Sequence, residues 1–215
     1  MIGAGVAGAR SAQRNESRAT QSPPPAPRRD RLDRVSAAHR PHRHSLNERG
    51  ERQARELGTR LAGLRFECVL SSPLQRARQT AALALPGVPA EPDADLSEWD
   101  YGDYEGRKTV DIRLERPGWN LFLDGCPAGE TLDAVATRAD RVISRLRAYG
   151  GITVVVAHRD ILRILAVRWI GLPAIAGRRL LLTPASLGSL GYDHDLTEPA
   201  VHRWNHNGCR GPLGS

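Results

Sequence analysis

Residues 152–165 read ITVVVAHRDILRIL, and this stretch decides the fold. It opens with five β-branched residues in succession, which is typical of a strand buried on both faces of a parallel sheet. After His158, apolar residues recur at helical spacing from Asp160 onward. His158 is therefore predicted at the carboxyl end of a central strand, where α/β proteins bind ligands. The stretch alone leaves open whether His158 is a site residue or a structural histidine.

The order of the other elements predicts a three-layer α/β/α sandwich with a mostly parallel central sheet. Further strands are predicted at 66–70, 180–183, 189–192 and 200–204, with a short strand or linker at 87–92. Helices are predicted after Asn47, a good N-cap residue, and at 74–85, 109–116 and 131–149. The segment 96–106 is predicted to be a loop rich in carboxylates and aromatic rings.

The chain divides into three parts by composition. Residues 1–45 are predicted to be a disordered basic tail, because Arg, Ala, Pro, Ser and Gln dominate and no apolar period appears. Residues 46–207 are predicted to fold as one domain, since apolar residues then recur at regular spacing. Residues 208–215 are small and polar, which predicts a flexible tail.

The positive charge is concentrated in the predicted tail. The 215-residue chain carries a net charge of +7, but residues 1–45 hold nine of its 31 Lys and Arg against three of its 24 Asp and Glu. The remainder is nearly neutral, and the tail lacks the aromatic residues that stack on bases, so no nucleic-acid partner is expected.

No apolar run approaches the ~20 residues that span a membrane, and the N-terminus shows no apolar signal region, so none is expected. The three cysteines have neither disulfide-framework nor metal-ligand spacing. We therefore expect a cytoplasmic protein without membrane contact. We also expect no metal, because no cluster of His, Cys and carboxylate residues has ligand spacing.

Three segments fall at predicted strand ends or in the acidic loop: SSPLQRARQT (71–80), LSEWDYGDYEG (96–106) and AHRDILR (157–163). Together they resemble the histidine phosphatase superfamily, also called phosphoglycerate-mutase-like, and the resemblance extends over about residues 46–205. The first is similar to the family's second-arginine motif and the third to its second-histidine motif. Three further stretches most resemble sedoheptulose-bisphosphatase-like sugar-phosphate phosphatases: EWDYGDYEGRKTVDI, PGWNLFLDGCPAGET and SLGSLGYDHD with TEPAVHRWN.

The resemblance implies a role for three side chains. Arg76 would bind a phosphoryl oxygen. His158 would donate to the same phosphoryl group and stabilise its charge in the transition state. Glu98 would protonate the leaving alkoxide as general acid, which requires burial or a nearby carboxylate such as Asp100 or Glu105 to keep it protonated.

Two positions depart from the family pattern. Arg159 follows the second histidine, where glycine is common; it would be strained if the turn needs a positive φ, or it would add positive charge to the phosphate site. Ala128 stands where the family often has the first glycine of Gly-Gly-Glu.

The family's nucleophile has no counterpart in this sequence. The family opens on a buried strand ending in Arg-His-Gly-Glu/Gln-Thr, and His39, His42 and His44 do not follow such a strand. The first strand is therefore predicted to be missing or replaced, and no nucleophile is assigned. Codons for residues 26–33 can, read one nucleotide downstream, encode Arg-His-Gly-Glu-Thr-Asp-Trp, so residues 1–45 are hypothesised to be an out-of-frame translation.

The resemblance implies a phosphomonoester hydrolase without a cofactor that works through phosphohistidine on a small sugar phosphate. The expected partner is a small phosphorylated metabolite or inorganic phosphate. Without the nucleophile, the chain as written is expected to be impaired. Two alternatives stay open: phosphotransfer of the phosphoglycerate-mutase type, and a catalytically dead phosphate-binding protein. The oligomeric state is not predicted.

Overall fold

A computed structural model describes residues 2–8 and 45–207 of the chain. Its six strands form one sheet in the order β3-β2-β4-β1-β5-β6. The strands are β1 (Ile2–Gly8), β2 (Cys68–Ser71), β3 (Glu91–Pro92), β4 (Ile152–His158), β5 (Leu187–Tyr192) and β6 (Pro199–His206). Three of the five neighbouring pairs are parallel, namely β2 with β3, β2 with β4 and β1 with β5. The prediction of an α/β fold with a mostly parallel sheet is confirmed.

Helices cover both faces of the sheet. They are α1 (Glu48–Leu61), α2 (Gln75–Ala84), α3 (Thr109–Glu115), α4 (Leu121–Asp124), α5 (Leu132–Ala148) and α6 (Arg159–Trp169). Val154 and Val156 of β4 pack in one buried cluster with α1 and α2. Val155 and Ala157 pack in the other with α5 and α6. Because alternate side chains of a strand point to opposite faces, β4 is buried on both sides, as its unbroken apolar sequence predicts.

The N-terminal strand differs from the sequence prediction. Residues 2–8 were expected in a disordered tail, yet Ile2–Gly8 forms β1 between β4 and β5. It runs antiparallel to β4, with Ile2 opposite His158, and parallel to β5. The prediction of disorder is therefore wrong for this segment, because ladder bonds use only the backbone and do not require an apolar side-chain pattern. The expected gap in the centre of the sheet is filled by a replacement strand.

The remaining predictions for the termini lie outside the described residues. They concern residues 9–44, with His39, His42 and His44, and the tail at 208–215. The out-of-frame hypothesis for residues 1–45 therefore stays a hypothesis. No helix in the described segments is both long and apolar enough to cross a bilayer.

One predicted strand, at 180–183, does not form. The N–H and Oγ1 of Thr183 both donate to Oδ1 of Asn205, each across 2.8 Å. Nε1 of Trp204 donates to the carbonyl of Leu181 across 2.6 Å. Side chains of β6 therefore satisfy this backbone in place of a ladder, which the apolar pattern of residues 180–183 could not indicate.

Candidate active site

The carboxyl ends of β2 and β4 bring two separate segments together. The strands run parallel with Ser71 opposite Val156, and the N–H of Ser72 donates to the carbonyl of Val156 across 2.9 Å. Beyond this point β2 leads into α2, with Arg76 in its first turn, and β4 leads into α6, with His158 as its N-cap. Parallel pairing therefore places Arg76 and His158 at one edge of the sheet.

Both ring nitrogens of His158 are hydrogen-bonded to protein. Nε of Arg76 lies 3.1 Å from Nδ1, and Oγ of Ser72 lies 2.8 Å from Nε2. Because arginine can only donate, Nδ1 accepts, and the proton of the neutral ring is assigned to Nε2, which donates to Ser72. The Ser72 hydroxyl also accepts from the N–H of Leu74 across 3.2 Å. His158 is completely buried, so this series of hydrogen bonds fixes the orientation of its ring.

Burial, followed by the positive charge of Arg76, lowers the pKa of His158 to about 2. The imidazole is therefore neutral across the physiological range. With both nitrogens engaged, it can donate to an incoming anion only if the contact with Arg76 is exchanged for one with that anion. An anion between the two groups would favour the protonated ring.

Glu98 closes the same region from the acidic loop. Its Oε1 accepts from the N–H groups of Asp160 and Ile161 across 3.2 and 3.4 Å, and from its neighbour Trp99 across 3.1 Å. The first two donors lie in the first turn of α6, directly after His158, where a carboxylate is favourably placed. The three predicted site residues Arg76, Glu98 and His158 therefore meet around the start of α6.

Burial of the carboxyl group and then the charge of Asp160 raise the pKa of Glu98 to about 7. A substantial fraction is thus protonated near neutrality, as a general acid requires. Burial, one of the two expected causes, is the larger one, and the nearby carboxylate is Asp160 rather than Asp100 or Glu105. Asp100 instead accepts a hydrogen bond from the N–H of Gly102, and Glu105 accepts one from the N–H of Tyr101.

The acidic loop is held by the segment before α5. Nε1 of Trp99, whose side chain is buried, donates to the carbonyl of Glu130 across 2.9 Å. Arg138 pairs with both carboxylate oxygens of Glu130 at 2.8 and 2.7 Å. A Cβ on Gly102 would lie 2.2 Å from the carbonyl oxygen of Pro127, so only glycine permits this approach. Glu98 therefore sits on a fixed loop.

The two positions that depart from the family pattern have different backbones. Ala128 adopts a left-handed conformation with φ of 57°, which costs a non-glycine residue ~1 kcal/mol. Arg159 is the first residue of α6 and has helical geometry, so the strain considered for it does not arise. Its Nε is buried and has no hydrogen-bond partner among the residues that the structure describes.

A cavity of about 730 Å³ opens beside Arg76. Arg76 and Thr80 line it from α2, and its other walls are α1 with the preceding residues 45–47, residues 183–185 and Asn207. This volume is in the range of small-molecule sites. Glu98 and His158 do not line it, so Arg76, which contacts His158, is the member of this trio that reaches the cavity.

Sequence reasoning missed several residues of the site. Ser72 contacts His158, while Asp160, Tyr101 and Arg163 form a buried polar cluster beside Glu98. Ser72 could have been noticed because it directly follows a buried strand. The sequence marks Asp160 only as the residue that opens the apolar period of α6, because its spacing does not indicate that it contacts Tyr101 or Glu98.

One group of side chains elsewhere could approach a metal ion. Ligand atoms of Asp193, His194 and Glu198, all exposed, lie within 4.8 Å of one another at the turn between β5 and β6. His194 already contacts the carboxylates of both neighbours. This group takes no part in the site around His158.

Known proteins resemble the chain in sequence and in fold. It is 36% identical over 160 residues to an acid phosphatase of Mycobacterium tuberculosis, covering 73% of this chain and 78% of that protein. It is 36% identical over 130 residues to sedoheptulose 1,7-bisphosphatase of Saccharomyces cerevisiae, of which it spans 48%. The solved structure of mycobacterial glucosyl-3-phosphoglycerate phosphatase in complex with inorganic phosphate superposes with a TM-score of 0.66 at 26% identity, covering 75% of this chain and 87% of that one.

The family model also covers most of the described domain. It is the model of the histidine phosphatase superfamily, branch 1, and it matches residues 33–207. The match includes the segments that carry Arg76, Glu98 and His158. This chain therefore belongs to the histidine phosphatase superfamily.

Proposed function

We propose that this chain is the scaffold of a phosphomonoester hydrolase that acts on a small sugar phosphate. Arg76 and His158 bind the phosphoryl group, Arg159 adds positive charge, and Glu98 protonates the leaving alkoxide. The observation that carries the proposal is the 3.1 Å contact between Arg76 and His158, next to the helix start that Glu98 caps. A tetrahedral dianion that enters this contact can accept from Arg76 and from a protonated Nδ1 of His158 at once.

The chemistry would proceed in two steps. A histidine ring nitrogen forms a bond to phosphorus while the ester oxygen leaves and takes the proton of Glu98. Water then attacks phosphorus, the bond from phosphorus to the ring nitrogen breaks, and one proton of the water passes to Glu98 as phosphate is released. Charge on the equatorial oxygens is stabilised throughout by the guanidinium of Arg76 and by a protonated His158.

The attacking histidine is not among the described residues that approach His158. The other histidines of residues 45–207 are His194, His202 and His206, which lie in or beside β6. We therefore propose that the chain as written binds phosphate but turns substrate over poorly. The out-of-frame hypothesis for residues 1–45 would account for this, and resequencing the gene tests it.

Binding of inorganic phosphate by titration calorimetry tests the phosphate site in this chain. Arg76→Ala should weaken binding about 10- to 100-fold, since a hydrogen bond to a charged group contributes about 1.5–3 kcal/mol. The matched control is Arg78→Ala, which removes an exposed arginine from the same helix. Equal affinity in both variants, or no binding by the parent chain, would contradict the proposal.

Hydrolysis is tested with a panel of sugar phosphates on two proteins, this chain and a form carrying the frame-corrected N-terminus. We expect phosphate release only from the corrected form, with loss on Arg76→Ala. Turnover by the chain as written would show that its nucleophile lies elsewhere.

A mutase is the second candidate, because the relatives include a probable phosphoglycerate mutase. A mutase would transfer the phosphoryl group back to substrate instead of to water. Measuring isomer formation beside phosphate release in the corrected form separates the two. Phosphate binding without either activity would favour the third possibility, a phosphate-binding protein without catalysis.

A further inference from the structure

A buried polar cluster lies between the acidic loop and α6. Asp160 is 4% exposed, and each of its carboxylate oxygens has one partner. Oδ1 accepts from Arg163 across 2.6 Å, and Oδ2 accepts from the hydroxyl of Tyr101 across 2.7 Å. Arg163 is itself buried and donates from Nε to the carbonyl of Gly177 across 3.0 Å. A charge so deeply buried persists because it is fully paired.

Asp160 contacts the acidic loop at two points. Its backbone N–H donates to Oε1 of Glu98, and its side chain accepts from Tyr101, three residues further along the loop. Burial, followed by the charges of Glu98 and Asp160, raises the pKa of Tyr101, so this hydroxyl remains a donor. The loop segment that carries Glu98 is thus attached to the first turn of α6 at both ends.

We propose that Asp160 is a positioning residue for Glu98. It holds the acidic loop on α6 through Tyr101, and its negative charge keeps the neighbouring Glu98 carboxyl in the protonated form that an acid needs. The inference rests on the proposed role of Glu98 as general acid. Asp160 itself transfers no proton, because both of its oxygens are occupied by Tyr101 and Arg163.

The charges around Glu98 come from three elements. On α6 they are Asp160, which disfavours the ionised form, and Arg163, which is paired with it. On α2, Arg76 favours the ionised form. On the loop itself, Tyr101 is neutral and Glu105 accepts the N–H of Tyr101. Asp160 is therefore the nearby charge that opposes Arg76.

The test is an NMR titration of the Glu98 carboxyl in the full chain, with glutamate carboxyl carbons labelled and the resonance assigned by Glu98→Gln. The wild-type midpoint should lie at about 7. Asp160→Asn keeps the shape but removes the charge, and it should lower the midpoint by about one unit or more. An unchanged midpoint in Asp160→Asn would overturn the proposal.

Two further variants separate charge from attachment. Tyr101→Phe keeps the charge of Asp160, so the midpoint should stay raised, while amide exchange across residues 98–101 should accelerate about tenfold or more. Asp140→Asn is the matched control, because Asp140 of α5 pairs with Arg168 of α6, the helix that carries Asp160, across 2.9 Å. It should leave both the midpoint and the exchange unchanged.

Asp160→Asn could fail to fold, since it leaves Arg163 without its partner. The wild-type chain and Tyr101→Phe then decide. The Glu98 midpoint of the wild type should lie at about 7, and amide exchange across residues 98–101 should accelerate in Tyr101→Phe. A single Glu98 step near its ordinary value would refute the inference. None of these measurements uses phosphate, so failure of phosphate binding would count against the proposed function alone.

Discussion

Arg76 donates from Nε to Nδ1 of His158 across 3.1 Å, and this contact exists only while the imidazole is neutral. Two groups proposed to bind the same anion thus contact each other. An anion that enters between them takes over the donor of Arg76 and offers His158 an acceptor. Binding should therefore be linked to protonation of His158.

The first prediction is that a tetrahedral dianion binds with uptake of a proton. Sulfate is a suitable probe, because it stays a dianion near neutral pH, where phosphate itself takes up protons. Calorimetry in buffers of different ionisation enthalpy measures the protons taken up. We expect an uptake approaching one proton, since the His158 pKa of about 2 must rise on binding.

The control for proton uptake is His158→Gln, which keeps a donor to Ser72 but cannot titrate. Any sulfate binding that remains in this variant should proceed without uptake. Wild-type binding without proton uptake would show that His158 stays neutral. The anion would then not replace Arg76 as the partner of its Nδ1.

The second prediction concerns Arg159. Its buried Nε has no partner in the described part of the chain, so an anion oxygen would supply the missing acceptor. Arg159→Gln should weaken phosphate binding about tenfold by calorimetry. Arg168→Gln, which removes a charge from the other end of α6, should change it little. Equal weakening of phosphate binding in the two variants would indicate that Arg159 acts only through its charge at long range.

The third prediction links Glu98 to stability. Its folded pKa of about 7 lies above the ordinary value of 4.5. The proton is therefore bound more tightly in the folded state, and the associated stability is complete below pH 4.5 and lost as the pH rises to about 7. Denaturant unfolding of wild type and Glu98→Gln should show wild type losing stability relative to the variant over this window. If the difference in free energy of unfolding stayed constant with pH, the pKa of Glu98 would not be raised by folding.

His158 acts in the opposite direction. Its pKa is lowered from 6.5 to about 2, so its contribution is present above pH 6.5 and is lost as the pH falls below that value. Because His158 is present in both wild type and Glu98→Gln, its contribution cancels in the difference between their free energies of unfolding. The two effects can thus be measured separately.

The fourth prediction concerns the turn before Glu130. Ala128 has φ of 57°, a conformation that suits glycine. Ala128→Gly should raise the free energy of unfolding by about 0.5–1 kcal/mol, as measured with denaturant. The control is Ala134→Gly at an exposed position of α5, which should lower it by a similar amount. Loss of stability in Ala128→Gly would contradict the strain inferred here.

Local patterns were sufficient for much of the fold. Asn47 caps α1 through Oδ1, which accepts from the N–H of Gly50 across 2.9 Å, as its position before an apolar period predicts. Residues 180–183 have the apolar composition of a buried strand, but their backbone groups form hydrogen bonds with side chains of β6. A pattern of hydrophobicity reports burial, and burial alone does not determine which groups satisfy the backbone.

By itself, the sequence determined the α/β class and the meeting of Arg76 with His158, because residues that follow parallel strands reach the same edge of the sheet. Only the tertiary structure decided that Ile2–Gly8 lies between β4 and β5, and that Asp160 is the carboxylate beside Glu98. The physical reason is that strand pairing and buried charge depend on contacts between distant segments. Residue spacing along the chain records periodicity within an element, so it identifies residues that follow parallel strands but not the other side chains that meet them.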